Sequence, residues 1–234
     1  QQLRNDPQQT IAVVIPDLAQ QRHRAQRIFQ EVFEPDFSDP ASPRASLPFN
    51  LSAGYPLIEA PVIKAAVNAL SLYLPSIESQ SALDLLGSPF YALDTDDEQA
   101  VSQLAAGIYA RRQDFIDVAS LRQLAEKVSA QASNPPWHFA EILQQQATLF
   151  RAQQRLLTPT QWSKLFRELL EIIDWPGQRR LDSDEYQQVS QWQSLLEDFK
   201  LLDPILSEIS YSQAVTTLSG LLSRQLFQPK TADS

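Results

Sequence analysis

Hydrophobic positions along the chain change their period near residue 75. Before that point the pattern mixes strand-like and helix-like stretches. IAVVI at 11–15 is a short continuous apolar run rich in β-branched residues, stopped by Pro16, and predicts a buried strand. Asp17 stands three before Gln20, a weak capping box, and Leu18, Ala25, Ile28, Phe29 and Val32 then recur at helical spacing. Residues 34–48 hold four prolines and no period, which predicts a loop. LPFNLS at 47–52 predicts a second strand, Gly54 a turn, and Pro61 the first turn of a helix using Val62, Ala65, Ala66, Ala69, Leu70 and Tyr73.

From about residue 80 no strand is predicted. The stretch offers repeated helix starts instead: Thr95 with Glu98, Ser120 with Gln123, Thr158 with Pro159 and Gln161, Asp182 with Glu185, Ser210 with Gln213. Apolar residues three and four apart follow each. The clearest sets are Trp162, Leu165, Phe166, Leu169, Leu170 and Ile173, then Val189, Trp192, Leu195, Leu196, Phe199 and Leu202. Six to eight helices in an irregular array are expected, with no fixed period. The fold class is therefore mixed and predominantly α. A small, incomplete α/β part at 1–75 precedes an irregular all-α domain at 76–234.

Charge narrows the partners. Residues 1–75 carry 6 basic and 7 acidic side chains (6 − 7 = −1) and residues 76–234 carry 13 and 21 (13 − 21 = −8). A net charge of −9 argues against a free-standing domain that grips long duplex by its phosphates. The chain has no cysteine and only two histidines, His23 and His138, so thiolate chemistry is excluded and an imidazole-rich metal cluster is not expected. Neither a signal peptide nor an apolar window long enough to span a membrane occurs, and a cytoplasmic location without membrane contact is expected. The chain opens QQLRNDPQQ and contains no methionine, which suggests an excised or processed piece.

Candidate chemistry is sparse. Five scattered glycines supply neither GxxxxGK[ST] nor GxGxxG, and no lysine completes a nuclease-like acidic set. No catalytic or metal site is assigned. Asp94, Asp96, Asp97 and Glu98 suit a helix start, as do Asp182, Asp184 and Glu185. His138 has no recognisable catalytic partner, and the four tryptophans sit on or near apolar faces. The stretch most suited to phosphates is Arg22, Arg24 and Arg27 on the first helix, although Arg27 is also spaced to pair with Glu31. Asn50, Ser52, Gly54 and Tyr55 in the following turn complete the expected DNA-contact surface, with Phe49 and Tyr55 as stacking rings.

IAVVIPDLAQQR at 11–22, LPFNLSAGYPL at 47–57, PVIKAAVNALSLY at 61–73 and ALDLLGSPFY at 82–91 together resemble the opening of the second motor domain of UvrD-like superfamily 1 helicases. IIDWPGQRRLDSDEYQ at 172–187 and LFQPKTAD at 226–233 resemble more narrowly a proteobacterial family of DNA-repair proteins related to the B subunit of the AddAB helicase-nuclease. The resemblance implies a RecA-like scaffold interrupted by a helical accessory insertion of the 2B type. Pro16, Gln20 and Arg22 then fall on the nucleotide-site positions of active helicases. Gln20 and Arg22 match; Pro16 replaces the usual arginine and donates no hydrogen bond. A non-catalytic segment without ATP binding or any other cofactor is implied, with the nuclease centre elsewhere in its parent protein. The implied partners are the parent's remaining domains, single-stranded or duplex-end DNA, and a helicase-nuclease subunit. A purely structural or protein-interaction module without nucleic-acid contact is the competing expectation.

Overall fold

A computed structural model of the chain describes residues 11–33, 49, 51, 53–91, 98–131 and 138–229. The chain forms two compact units, 1–55 and 56–234.

In the first unit the described core is helix α1 (Leu18–Phe33), opened by the Gln21 N–H donating to the Asp17 carbonyl at 3.2 Å. Phe29 and Phe33 lie one turn apart with ring centroids 6.0 Å apart, and Phe49 packs on both, 5.3 Å from Phe29 and 6.2 Å from Phe33. The strand expected at 11–15 does not form: Ile11, Val13 and Val14 are exposed, Val14 at 91%. A strand exists only as part of a paired ladder, and no described segment of this unit pairs with residues 11–15. The loop expected at 34–48 lies outside the described residues, as does the strand expected at 47–52 apart from residues 49 and 51.

The second unit is mostly helical with small antiparallel strand pairs. Between β1 (Tyr55–Pro56), at the junction of the units, and β6 (Leu226–Phe227) run a 3₁₀ turn (Leu57–Glu59) and helices α2 (Pro61–Ser71), α3 (Ser79–Leu86), α4 (Glu98–Ala110), α5 (Val118–Gln131), α6 (His138–Arg151), α7 (Pro159–Ile172), α8 (Ser183–Lys200), α9 (Asp203–Leu206) and α10 (Tyr211–Arg224). Helix α2 is the centre of this unit and not part of an α/β domain as its position before residue 75 suggested. It buries Val62, Ile63, Ala65, Ala66, Ala69 and Leu70 and packs on α3, α7, α8 and α10. Its small alanines let those neighbours approach closely. Three aromatic side chains from distant segments donate to its carbonyls: Trp175 Nε1 to Val62 at 2.9 Å, Tyr91 Oη to Ala65, and Tyr211 Oη to Leu70 at 2.6 Å.

The absence of strands expected after residue 80 is overturned by a recurring local unit. Four times a turn leads into a two-residue strand holding a buried aliphatic residue, and a helix follows at once. The strands are β2 (Ile77–Glu78), β3 (Phe115–Ile116), β4 (Leu156–Leu157) and β5 (Ile209–Ser210). They pair antiparallel two by two, Ile77 opposite Ile116 and Leu157 opposite Ile209. The fifth residue after each aliphatic is buried on the first turn of its helix: Ala82, Leu121, Trp162 and Ala214. The intervals between units are unequal, so no period marks them in the sequence.

Three predicted starts hold as complete capping boxes, Thr158 with Gln161, Asp182 with Glu185 and Ser210 with Gln213. The start predicted at Ser120 lies three residues earlier, where the Asp117 carboxylate accepts the Ser120 N–H at 2.7 Å. The Thr95 start lies outside the described residues.

Candidate functional site

The expected DNA-contact surface does not come together as one exposed basic face. Arg22 is only 6% exposed; its guanidinium donates to the Ala53 carbonyl and stacks over the Tyr55 ring, 4.7 Å from the centroid. Helix spacing explains this. Arg22 and Ala25 share the inward face of α1, whereas Arg24 and Arg27 face solvent. Arg27 is paired with Glu31 at 3.5 Å across one turn, the alternative its spacing allowed. Gly54 and Tyr55 are half-buried in the turn that Arg22 holds. Asn50 and Ser52 lie outside the described residues, as do the side chains of Gln20 and His23. Of the positions that the resemblance assigned to a nucleotide site, Pro16 is exposed and Arg22 is engaged internally.

The WPG stretch builds a fixed loop. Asp174 and Gly177 both have positive φ, +55° and +90°. The φ of Gly177 is one that favours glycine, and a Cβ there would also crowd the Pro89 carbonyl oxygen at 3.2 Å. Arg179 stacks over Phe90, 4.6 Å from its centroid, and pairs with the buried Glu185, whose other oxygen accepts the Asp182 N–H at 2.9 Å. Arg179, Glu185 and Asp182 thus hold the start of α8 to the segment that follows α3, which is a structural use of the charges.

A second set of residues has the composition of a binding site and was not singled out in the sequence. Between α4 and β3 the chain turns a corner, Tyr109-Ala110-Arg111-Arg112-Gln113-Asp114-Phe115. Tyr109 is 65% and Phe115 58% exposed, and Arg111 and Arg112 lie exposed between them. Among the described residues neither arginine forms a carboxylate ion pair. Arg112 has φ +51°, a conformation that a long side chain rarely adopts. The corner is pinned to the start of α3: Ser79 Oγ donates to the Gln113 carbonyl at 2.7 Å, and Ser79 N–H to the Asp114 carbonyl at 2.8 Å. It borders an open groove of about 570 Å3 lined by Tyr109, Arg112, Gln113, Phe115, Gln80 and the acids Glu78 and Asp114, among others. A neighbouring cleft of about 610 Å3 shares Gln80, Leu83 and Tyr109 and contains the Lys64–Asp84 pair at 3.1 Å. Hydrogen bonds from the Gln80 amide and then from Lys64 hold the Asp84 carboxyl below its ordinary pKa. Two aromatics flanking an arginine pair was the available sequence signal.

Among the described residues no group of three or more His, Asp or Glu side chains is placed to hold a metal ion, and no helix is long and apolar enough to cross a membrane. No protein-family model, curated protein or solved structure matches the chain.

Proposed function

We propose that the chain is a non-catalytic scaffold segment of a DNA-repair protein of the helicase-nuclease type, in which the helical unit is an accessory insertion that positions DNA or partner domains. One observation carries this reading: the Leu57 N–H donates to the Gln225 carbonyl at 2.7 Å, so the helical unit is entered and left at the same place. Adjacent ends are what an insertion into another domain requires, because the host chain continues with little displacement. The exposed apolar run at 11–14 supports the companion idea that the first unit completes its fold against further parts of the parent protein. The RecA-like character of that unit, a cytoplasmic setting, a helicase-nuclease partner subunit and the lack of ATP use by this segment belong to the same proposal. They rest on the resemblance of the motifs at 11–22, 47–57 and 172–187.

The test is genetic. The gene encoding the parent protein is deleted from its host, or residues 58–224 are replaced by a short Gly/Ser linker that the 2.7 Å separation of Leu57 N and Gln225 O permits. Both strains are expected to lose survival after double-strand breakage, the linker strain while still accumulating the shortened protein. Unchanged survival of the full deletion overturns the repair assignment.

The burial of Arg22 favours a second reading, a structural or protein-interaction module without nucleic-acid contact, since it removes one of the few cations of the expected DNA surface. Under that reading the linker strain has the same phenotype, but the isolated chain binds no form of DNA.

A further inference from the structure

We propose that the corner between α4 and β3 binds a short stretch of single-stranded nucleic acid, with bases stacked on Tyr109 and Phe115 and phosphates held by Arg111 and Arg112. The inference rests on the DNA-repair reading above, and places its nucleic-acid contact in the helical unit instead of on α1.

Four observations converge on this class of ligand. The rings of Tyr109 and Phe115 are exposed together at one corner, and Tyr186 is exposed elsewhere, in a unit whose rings Tyr73, Trp162, Phe166, Trp192, Phe199 and Tyr211 are buried. Stacking on an exposed ring requires a base whose face is open, which a single strand offers and an intact duplex does not. Among the described residues neither Arg111 nor Arg112, which stand between the two rings in sequence, forms a carboxylate ion pair, so both guanidiniums can turn to phosphate oxygens. The groove wall adds the side-chain amides of Gln113 and of Gln80, whose nitrogen donates to Asp84 and keeps a second N–H, with its oxygen, for base edges. Finally, the corner is pre-formed: the Ser79 bonds and the pairing of Glu78 with Phe115 fix it before any ligand arrives, which lowers the ordering cost of binding.

The acids define the limits of the site. Glu78 and Asp114 line the same groove, and Asp117 feels the charge of Arg111. They repel a densely charged duplex and leave few net charge contacts, so the contact is carried by stacking and its salt dependence is shallow. An apolar peptide is a poorer match, because Leu83 and Ile108 are the aliphatic side chains that line the groove.

The experiment is fluorescence anisotropy of the chain with labelled oligothymidylate, using unlabelled hairpin duplex as competitor, over a salt series. Variants are Tyr109→Gln with Phe115→Thr, and Arg111→Gln with Arg112→Asn, the asparagine chosen because it tolerates positive φ. Circular dichroism and thermal unfolding establish that each is folded. Wild-type binding is expected to fall with salt with a log–log slope of about −1.4, the value for two phosphate contacts on a single strand. The arginine variant should flatten that slope towards zero. The aromatic variant should weaken binding by about tenfold or more at every salt concentration, as loss of base stacking does. Binding that both folded variants retain puts the nucleic acid elsewhere on the chain and overturns this site while the repair reading stands on its own survival assay. Binding of an acidic phenylalanine-containing peptide but not of oligothymidylate assigns the groove to protein docking and also overturns the proposal. So does no binding by folded wild type, or preferential displacement by duplex.

Discussion

The guanidinium of Arg22 lies 4.7 Å from the centroid of the Tyr55 ring, across a sequence separation that spans the whole of the proline-rich segment. With its bond to the Ala53 carbonyl, this makes Arg22 a staple between α1 and the turn at 53–55. A partly desolvated cation–π contact contributes about 0.5–2 kcal/mol and a charged hydrogen bond about 1.5–3 kcal/mol. Arg22→Ala is therefore expected to speed amide exchange at Ala53, Gly54 and Tyr55 markedly, and Arg22→Lys to do so partly, because an ammonium lacks the planar fork. Oligothymidylate affinity is expected to stay at its wild-type value in both. Lost affinity with unchanged exchange protection would return Arg22 to the DNA path.

Trp175, Tyr91 and Tyr211 all donate to carbonyls of α2, tying the central helix to segments remote in sequence. Burial raises the pKa of the Tyr91 and Tyr211 hydroxyls well above the ordinary value, so both remain protonated donors through the alkaline range in which exposed tyrosines ionise. Tyr91→Phe and Tyr211→Phe each remove a hydroxyl but little volume, and each is expected to lower stability by about 1 kcal/mol in urea unfolding. Trp162→Ala, which opens a large cavity next to Tyr211, should cost about 3–5 kcal/mol. A Tyr211→Phe cost as large as that of Trp162→Ala would show that more than one hydrogen bond is lost.

Local signals were legible and pairing signals were not. Thr158, Asp182 and Ser210 declare helix starts because a capping box is complete within four residues, and the faces of Trp162 and Trp192 are buried as their spacing predicts, except for the half-buried Leu202. The strands β2 to β5 escaped notice because two residues cannot display an alternation. Ser120 and Gln123 imitated a box, while the true cap, Asp117, acts through Ser120 itself. Helix α2 was predicted as a helix, but its alanine face carries no mark of whether a sheet or other helices will cover it. IAVVI has strand composition, yet composition supplies no partner strand. For the candidate site, exposure was the missing quantity: Arg22 and Arg112 look alike in sequence and differ in what surrounds them.

Asp117 provides a test of that corrected helix start through pH. Its carboxyl is held below the ordinary range first by the Ser120 N–H, with smaller help from the Ser120 hydroxyl, the Ala119 N–H and Arg111. A depressed pKa in the folded chain means stability that is fully present above the unfolded value, about 3.9, and is lost as pH falls through the folded value below it. Asp117→Asn keeps a capping oxygen but removes the titration. The urea midpoint of wild type should exceed that of Asp117→Asn above about pH 5, and the gap should shrink steadily on acidification below that. A gap that is constant with pH would mean that the carboxylate gains nothing from the cap over a neutral amide.

Gln146 is the buried polar hinge of the unit's interior, and a double-mutant cycle separates its two bonds. Its amide nitrogen donates to the Leu169 carbonyl at 2.7 Å, and its oxygen accepts the Tyr73 hydroxyl at 3.3 Å. Burial raises the Tyr73 pKa, so that hydroxyl is a neutral donor, and its ring packs on Phe150 with centroids 4.9 Å apart. Gln146→Leu keeps the volume but leaves the Tyr73 hydroxyl buried without this acceptor, a penalty of about 1–3 kcal/mol. Tyr73→Phe alone orphans only one lone-pair site on an amide that still holds Leu169, and should cost less, about 0.5–1 kcal/mol. With both changes the orphaned hydroxyl is gone, so the double variant should be more stable than Gln146→Leu alone, with a coupling of about 1 kcal/mol. Thermal or urea unfolding of the four proteins measures this directly. Additive costs would mean that the 3.3 Å contact contributes nothing and that Gln146 serves α7 through Leu169 alone.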